Sequence, residues 1–271
     1  MEITAFTKHN PKYKDLNHPE EDSFKYSINE GGRVIVAVAD GITRDRIVGS
    51  YPNPSPAKKA ADLFCNSFLA YIRNRTLKDS SIKDAFRYGN RNIWRQLNND
   101  RKVDYLENDF AGCVASGGVI ENGKLHWGFI TDCGVCVFDK YGKLKFRTPD
   151  EGPNSKGDIK EEVEKKYNTS FKEAKGRKIT RSEYRNNVNN PLAYGALTGE
   201  DSGMNYVRTG EIGLEKEDRV IFYSDGFLSL IYSDEFSEKI SGDCLGIERL
   251  IESNLERIDG SEGTLVSVVL E

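Results

Sequence analysis

The chain has 271 residues, and 43 Asp and Glu against 39 Lys and Arg give it a formal net charge of −4 at pH 7. This mildly acidic balance argues against a dedicated nucleic-acid-binding protein, which usually carries a strong positive charge or a basic stripe. With 37% apolar and 30% charged residues, the composition excludes a disordered chain, and the length allows a core that needs no disulfide or metal.

Neither a membrane span nor an export signal is expected. The longest unbroken apolar run, Val34 to Ala39, is far shorter than the ~20 residues of a membrane-spanning helix. The N-terminal residues lack the basic region and apolar core of a signal peptide, so we expect a cytoplasmic protein. Cys133 and Cys136 form a lone C-x-x-C within a strand-like run, which favours buried residues over a zinc or redox site.

Strands open the chain and two helices follow. The run from Val34 to Ala39 is continuously apolar, which predicts a strand buried on both faces. Ser55-Pro56 is a helix-start signal, and a second helix is expected after Ser80 or Ser81. The other early strands are predicted at Glu2–Phe6 and Ser23–Ile28.

Strands return after the helix pair, and this order predicts antiparallel sheets covered by helices rather than alternating β-α units. A late helix is expected near Leu245–Arg257. The later strands are predicted at Phe110–Ile120, Lys124–Thr131, Val135–Phe138, Leu144–Arg147, Arg219–Ser224 and Thr264–Leu270.

The segment from Asp139 to Asn190, called the 139–190 segment below, has its own charge. It holds 14 Lys and Arg against 9 Asp and Glu, a net of +5, so the rest of the chain carries −9. One short helix is expected in it, near Ile159–Tyr167. It is either a solvated insertion or a flap that attracts an anionic substrate, and the first interpretation is favoured.

Acidic residues recur at predicted strand ends. Asp40-Gly41, Asp132 and Asp225-Gly226 each follow a strand, Glu21-Asp22 precedes one, and Asp259 and Glu262 precede the last one. A single Asp-Gly would indicate only a hairpin turn, but neither Asp-Gly here is followed by an alternating strand pattern. Carboxylates that converge at strand ends repel one another unless cations lie between them.

Such a cluster of oxygen ligands suits Mg²⁺ or Mn²⁺ rather than zinc. Two such ions ~3.5–4 Å apart are used for phosphoester hydrolysis, since they lower the pKa of a bound water and neutralise the phosphate. A flexible Gly after the bridging Asp can turn its own carbonyl toward a metal.

Five motifs, in order and over nearly the whole chain, resemble those of the type 2C metal-dependent serine/threonine protein phosphatases. Each is weak alone, but the ordered set is specific. The motifs are Glu21-Asp22-Ser23-Phe24, Val36-Ala37-Val38-Ala39-Asp40-Gly41, Ile130-Thr131-Asp132-Cys133-Gly134, Tyr223-Ser224-Asp225-Gly226 and Gly263-Thr264-Leu265-Val266-Ser267-Val268-Val269.

The resemblance implies an α+β fold, a four-layer α-β-β-α sandwich whose two antiparallel sheets are flanked by helix pairs. It implies one domain over residues 1–271 with a flap-like insertion at about 139–190. It further implies a monomer that binds two, or with a third site three, Mn²⁺ or Mg²⁺ ions and hydrolyses phosphoserine and phosphothreonine in proteins. Asp40 and Asp225 are the expected catalytic residues, and the expected metal ligands are Glu21, Asp40, Gly41, Asp132, Asp225 and Glu262.

The chain departs from the family at three positions. Asn17 stands where an Arg often grips phosphate, so Lys14 and Arg44 are the expected phosphate-binding residues, with Lys12 a further candidate. Ile42 replaces a frequent His, for which His18 is a weak substitute. Ser261 replaces the last motif's Asp, and Glu262 is preferred over Asp259 as the substitute ligand, because its side chain is longer.

These departures leave an alternative open. A pseudophosphatase would keep the fold but bind phosphoproteins or a regulatory partner without turnover. A phosphohydrolase of small phosphoesters is a third, lower-ranked possibility.

Overall fold

The computed structural model describes residues 1–16, 19–42, 52–99, 102–106, 110–153, 155, 159–170, 173–234, 236 and 244–271. Within these residues, ten strands form two five-stranded sheets, and all neighbouring strands are antiparallel. The strands are β1 (Glu2–His9), β2 (Ser23–Ile28), β3 (Val34–Gly41), β4 (Cys113–Glu121), β5 (Lys124–Ile130), β6 (Gly134–Phe138), β7 (Leu144–Arg147), β8 (Arg208–Gly213), β9 (Arg219–Tyr223) and β10 (Glu262–Val269).

The first sheet has the strand order β1-β10-β9-β6-β7, and the second has the order β2-β3-β4-β5-β8. The helices described are α1 (Pro56–Ile72), α2 (Ser81–Ile93), α3 (Ile159–Tyr167), α4 (Ala174–Tyr184), α5 (Leu228–Ile231) and α6 (Cys244–Glu252). Short 3-10 turns lie at Pro11–Leu16, Asp201–Asn205, Asp225–Phe227 and Leu255–Arg257.

Strand β3 shows why the layers stack as they do. Its even-numbered residues Val34, Val36 and Val38 face the first sheet, where they pack with residues such as Phe222 and Val266. Its odd-numbered residues face the opposite way, into the cluster formed with α1 and α2. Successive strand side chains point to opposite faces, so a strand between two layers must be apolar throughout. The prediction that this run is buried on both faces is confirmed.

The outer face of the first sheet is covered by α5 and α6. Phe138, Ile221 and Tyr223 from this sheet pack with Leu230 of α5 and Ile251 of α6. With α1 and α2 over the second sheet, the layers run α-β-β-α, and the predicted fold class is confirmed. The helix-start signal is confirmed too, because the Ser55 hydroxyl accepts a hydrogen bond from the amide of Lys58 at 3.0 Å.

Two elements were not predicted. Strand β8 has glycines at positions 210 and 213 and lies at a sheet edge, where little apolar alternation is needed. The described part of the 139–190 segment contains a second helix, α4, so the expectation of one helix was wrong. Helix α4 buries Thr180 and Arg181 rather than an apolar stripe, which removes the usual sequence signal.

Cys133 and Cys136 are buried free thiols, and burial raises the pKa of both. They therefore do not behave as a reactive pair. In the described part of the chain, the helices lack the length and apolar character needed to cross a membrane.

Candidate metal centre

Acidic side chains from both sheets meet at one end of the sandwich. Asp40 is the penultimate residue of β3 in the second sheet, and Asp225 follows β9 in the first. Burial raises the pKa of Asp40 well above the ordinary value, and the charges of neighbouring carboxylates raise it further; these are Asp225, Asp22, Asp132 and Glu262. The predicted convergence of carboxylates is therefore present.

Asp225 and Asp132 also have raised carboxyl pKa values. Burial and the charges of Asp132 and Asp22 raise the pKa of Asp225 well above its ordinary value. Burial, with the charge of Asp150, raises the pKa of Asp132 to about 6. Asp40, Asp132 and Asp225 are each only half-buried, so the cluster is open to solvent on one side. An opening of this kind lets a ligand reach the carboxylates.

Hydrogen bonds to Glu262 connect β10 with the loop before β2. The Oε1 of Glu262 accepts hydrogen bonds from the amide of Glu21 at 2.5 Å and from the amide of Asp22 at 3.0 Å. Burial and the charge of Asp22 raise the pKa of Glu262 to about 7. Its Oε2 lies 4.0 Å from Nδ1 of His9. The structure thus brings Glu262 to the cluster, and Glu21, which is 2% exposed, lies beside it.

Asp22 is a member of the cluster that the sequence analysis did not select. It is 3% exposed, and its Oδ2 accepts a hydrogen bond from the hydroxyl of Ser224 at 2.7 Å. The same hydroxyl accepts a hydrogen bond from the amide of Thr264 at 2.9 Å. Burial is the largest cause of the raised pKa of Asp22. Its position next to Glu21 in the first motif was the available signal.

Glycines allow the backbone segments around the cluster to approach closely. A Cβ on Gly41 would lie 2.6 Å from the carbonyl carbon of Ala57 and 2.7 Å from the carbonyl oxygen of Glu21. A Cβ on Gly226 would collide with the carbonyl oxygen of Glu262. The glycines after Asp40 and Asp225 are therefore required by packing. The predicted absence of a tight hairpin is confirmed at Asp225-Gly226 by the helical turns that follow, whereas the residues after Ile42 lie outside the described part of the chain.

Two buried oxygens in the cluster have no hydrogen-bond partner. They are Oδ1 of Asp132 and Oε2 of Glu262. Buried polar atoms are nearly always paired, so such oxygens are where a cation fits. Within the described residues, no three His, Cys, Asp or Glu side chains already form a closed metal-binding group. Asp40 shares a side-chain hydrogen bond with Asp22 and another with Asp225, so these carboxyls lie close together. Carboxylate oxygens are the ligands that a hard divalent ion prefers, so the donor set suits such an ion but is not a finished cage.

Of the positively charged residues expected to bind phosphate, only Lys12 has a described side chain. Arg44 and the side chain of Lys14, the expected phosphate-binding residues, lie outside the described part of the chain, as do Asn17 and His18. Lys12 is exposed and donates to the backbone oxygen of Glu256 at 3.3 Å.

Lys58, at the start of α1, is a cation beside the cluster that the sequence analysis did not select. It donates to the carbonyl of Asp22 at 2.7 Å and pairs with Asp62 at 2.9 Å. Its charge acts on Asp22 and lowers the pKa of that carboxyl, against the larger effect of burial.

Comparison with solved structures finds the same architecture in bacterial phosphatases. The catalytic domain of the serine/threonine protein phosphatase PstP in complex with two manganese ions has a TM-score of 0.65 at 17% identity, over 100% of this chain and 98% of that one. A serine/threonine phosphatase of S. agalactiae has a TM-score of 0.66 at 15% identity, over 100% and 99%. RsbX in complex with magnesium has a TM-score of 0.58 at 13% identity, over 98% and 95%.

No protein-family model matches the chain, and no curated protein matches it by sequence. The structural likeness covers the full length, and its low identity makes it evidence of the fold alone. The chain has the fold of serine/threonine phosphatases, and the resemblance seen in its five motifs holds at that level.

Proposed function

We propose that this chain is a Mn²⁺- or Mg²⁺-dependent phosphatase that hydrolyses phosphoserine and phosphothreonine in proteins. The observation that carries the proposal is the meeting of Asp40 and Asp225 from opposite sheets, each with a pKa raised first by burial and further by neighbouring carboxylates. Raised carboxyl pKa values in a solvent-open cluster mark a site that gains stability from a cation. Solved structures of the same fold are named serine/threonine phosphatases, which supports the substrate class.

The residues proposed to hold the ions are those the motifs indicate, together with Asp22. They are Glu21, Asp22, Asp40, Asp132, Asp225 and Glu262 through their carboxylates and Gly41 through its carbonyl. When bound, such ions lower the pKa of a water molecule toward neutrality and neutralise phosphate charge. Two of the solved structures of this fold contain manganese or magnesium, in agreement with that ligand chemistry.

The protein's own part in the reaction is positioning. Asp40 lies at the end of β3, where its backbone pairs with Val114 of β4, and is thereby held by a central strand. Asp225 opens a helical turn whose Gly226 packs on the backbone of Glu262. Carboxylates carried by rigid strand ends keep their spacing as charge changes at the site, which is what preorganised catalysis requires. Lys14 and Arg44 are proposed to bind the phosphate.

The direct test is hydrolysis of an aryl phosphate and of phosphoserine and phosphothreonine peptides with added Mn²⁺. We expect Asp40→Asn and Asp225→Asn each to lower kcat at least about a hundredfold. Asp79→Asn, at an exposed position, is the matched control and is expected to keep wild-type activity. Activity that survives both cluster substitutions would refute the assignment.

A pseudophosphatase is the second candidate, and a specific observation favours it. The described acidic residues do not form a closed metal-binding group, and Ser261 occupies the position of a family ligand. Calorimetry with Mn²⁺ separates the two: a competent enzyme takes up two ions, and a pseudophosphatase takes up one weakly bound ion or none. A screen of small phosphoesters against phosphopeptides separates a small-molecule phosphohydrolase from a protein phosphatase.

A further inference from the structure

Thr131, the residue immediately before Asp132, has an unusual backbone. Its φ is +71°, in the left-handed region that a β-branched residue rarely occupies. It is 3% exposed and follows the last residue of β5. A strained conformation of this kind persists only where surrounding contacts require it, and such residues cluster at functional sites.

Two hydrogen bonds hold Thr131, and each comes from a different part of the chain. Its hydroxyl donates to the carbonyl of Gly195 at 2.6 Å, and its own carbonyl accepts from the amide of Glu151 at 2.9 Å. Glu151 lies near the start of the 139–190 segment, and Gly195 lies just after the end of that segment. One buried residue therefore contacts the chain near the start of the segment and just after its end.

The Gly195 contact continues into the 139–190 segment. Tyr194, the neighbour of Gly195, donates its amide to the carbonyl of Tyr184 at 3.1 Å, and Tyr184 is the last residue of α4. The amide of Asn186 donates to the carbonyl of Tyr194 at 2.9 Å. Two hydrogen bonds, linked by the peptide bond between Tyr194 and Gly195, thus join the end of α4 to Thr131.

Gly152, the residue after Glu151, packs against Asp132 itself. Gly152 is packed so closely that a Cβ there would lie 3.0 Å from Oδ2 of Asp132. The other carboxylate oxygen, Oδ1, is buried without a hydrogen-bond partner. The segment start therefore contacts one side of a carboxylate whose remaining oxygen is available to a cation.

We propose that Thr131 is a positioning residue that fixes the Asp132 carboxylate relative to both ends of the 139–190 segment, so that a cation bound at Asp132 and the placement of this segment stabilise each other. The inference rests on the proposed function, because it takes Asp132 as a cation ligand. Linkage is reciprocal: if the ion favours one placement of the segment, that placement must raise the affinity for the ion.

The test measures amide hydrogen exchange and Mn²⁺ binding on the full chain. Thr131→Gly keeps a residue that tolerates positive φ but removes the hydroxyl, whereas Thr131→Ser keeps the hydroxyl and is the matched control. In metal-free protein, we expect Thr131→Gly to speed exchange about tenfold in peptides covering residues 150–153 and 193–197. We expect its weakest Mn²⁺-binding step to weaken about tenfold, within the usual range of coupling. Thr131→Ser should match the wild type in both measurements.

The coupling also predicts that Mn²⁺ slows exchange in these peptides in the wild type, and that Asp132→Asn abolishes this effect. Unchanged exchange or unchanged Mn²⁺ affinity in Thr131→Gly would overturn the proposal, and so would full Mn²⁺ protection in Asp132→Asn. The Asp132→Asn comparison decides the matter if Thr131→Gly does not fold. A wild-type chain that binds no Mn²⁺ refutes the proposed function and the coupling together, whereas Mn²⁺ binding without an exchange effect refutes only the coupling.

Discussion

Glu262 is both a structural and an electrostatic member of the cluster, and Glu262→Gln separates the two roles. The Oε1 of Glu262 accepts hydrogen bonds from the amides of Glu21 and Asp22. A glutamine retains an oxygen that can accept both bonds, but it carries no charge. The substitution therefore removes repulsion from the metal-free protein while leaving the backbone contacts in place.

The size of the effect follows from the pKa of Glu262, which burial and Asp22 raise from its ordinary value of 4.5 to about 7. At about 1.4 kcal/mol per pKa unit, ionising this group in the folded state costs roughly 3 kcal/mol more than in the unfolded state. The cost is absent below pH 4.5, where the group is protonated in both states. It grows as the pH rises from 4.5 to 7 and is complete above that range. The contribution of Glu262 to the stability of the metal-free wild type therefore falls through this window.

We expect Glu262→Gln to raise the free energy of unfolding by roughly 1–3 kcal/mol at pH 8 and to leave it nearly unchanged at pH 4. Urea denaturation in the presence of a chelator measures both values. Glu256→Gln, at an exposed position a few residues earlier, is the matched control and should be neutral at both pH values. With saturating Mn²⁺ the order at pH 8 should reverse, because the neutral amide oxygen of Gln binds a divalent cation more weakly than a carboxylate does.

The reasoning fails if Glu262→Gln is no more stable than the wild type at pH 8 in chelator. It also fails if the variant is stabilised equally at pH 4 and pH 8, because a charge effect must disappear when the carboxyl is protonated.

Three further substitutions test the packing around the cluster. Ser224→Ala removes the hydroxyl that donates to Asp22 and should cost about 1–3 kcal/mol of stability and weaken Mn²⁺ binding, as followed by urea titration and calorimetry. Gly226→Ala places a methyl group against the Glu262 carbonyl, and we expect the free energy of unfolding to fall by about 1–3 kcal/mol. A melting temperature equal to that of the wild type would contradict the close approach. Ser55→Ala removes the cap of α1 and should cost about 1 kcal/mol in thermal unfolding, and an unchanged melting temperature would contradict the capping role.

Sequence periodicity was a good guide wherever one face of an element is buried in an apolar layer. The continuous apolar run of β3 correctly indicated a strand between two layers, and the stripes of α1 and α2 indicated helices that cover a sheet. The same logic failed for α4, because that helix buries polar side chains. Apolar periodicity predicts an element that is buried in apolar surroundings, but it does not predict one that buries polar side chains.

The candidate site, too, could be predicted from the sequence only in part. Their identity could be predicted, because Asp40, Asp225 and Asp132 each stand at the end of a recognisable strand. Their mutual arrangement could not, since it depends on how two sheets stack and on contacts between residues more than two hundred positions apart, such as that between Asp22 and Ser224.

What the sequence determined by itself is therefore the strands and helices other than β8 and α4, the fold class and most of the acidic residues at the strand ends. Only the tertiary structure decided that Asp22 joins the cluster, that Glu262 bonds to the backbone before β2, and that Thr131 contacts the chain near the start of the 139–190 segment and just after its end. The physical reason is the separation along the sequence of the residues that determine each feature. Periodicity is set by the burial of neighbouring residues, whereas the spacing of charges is set by the packing of distant strands.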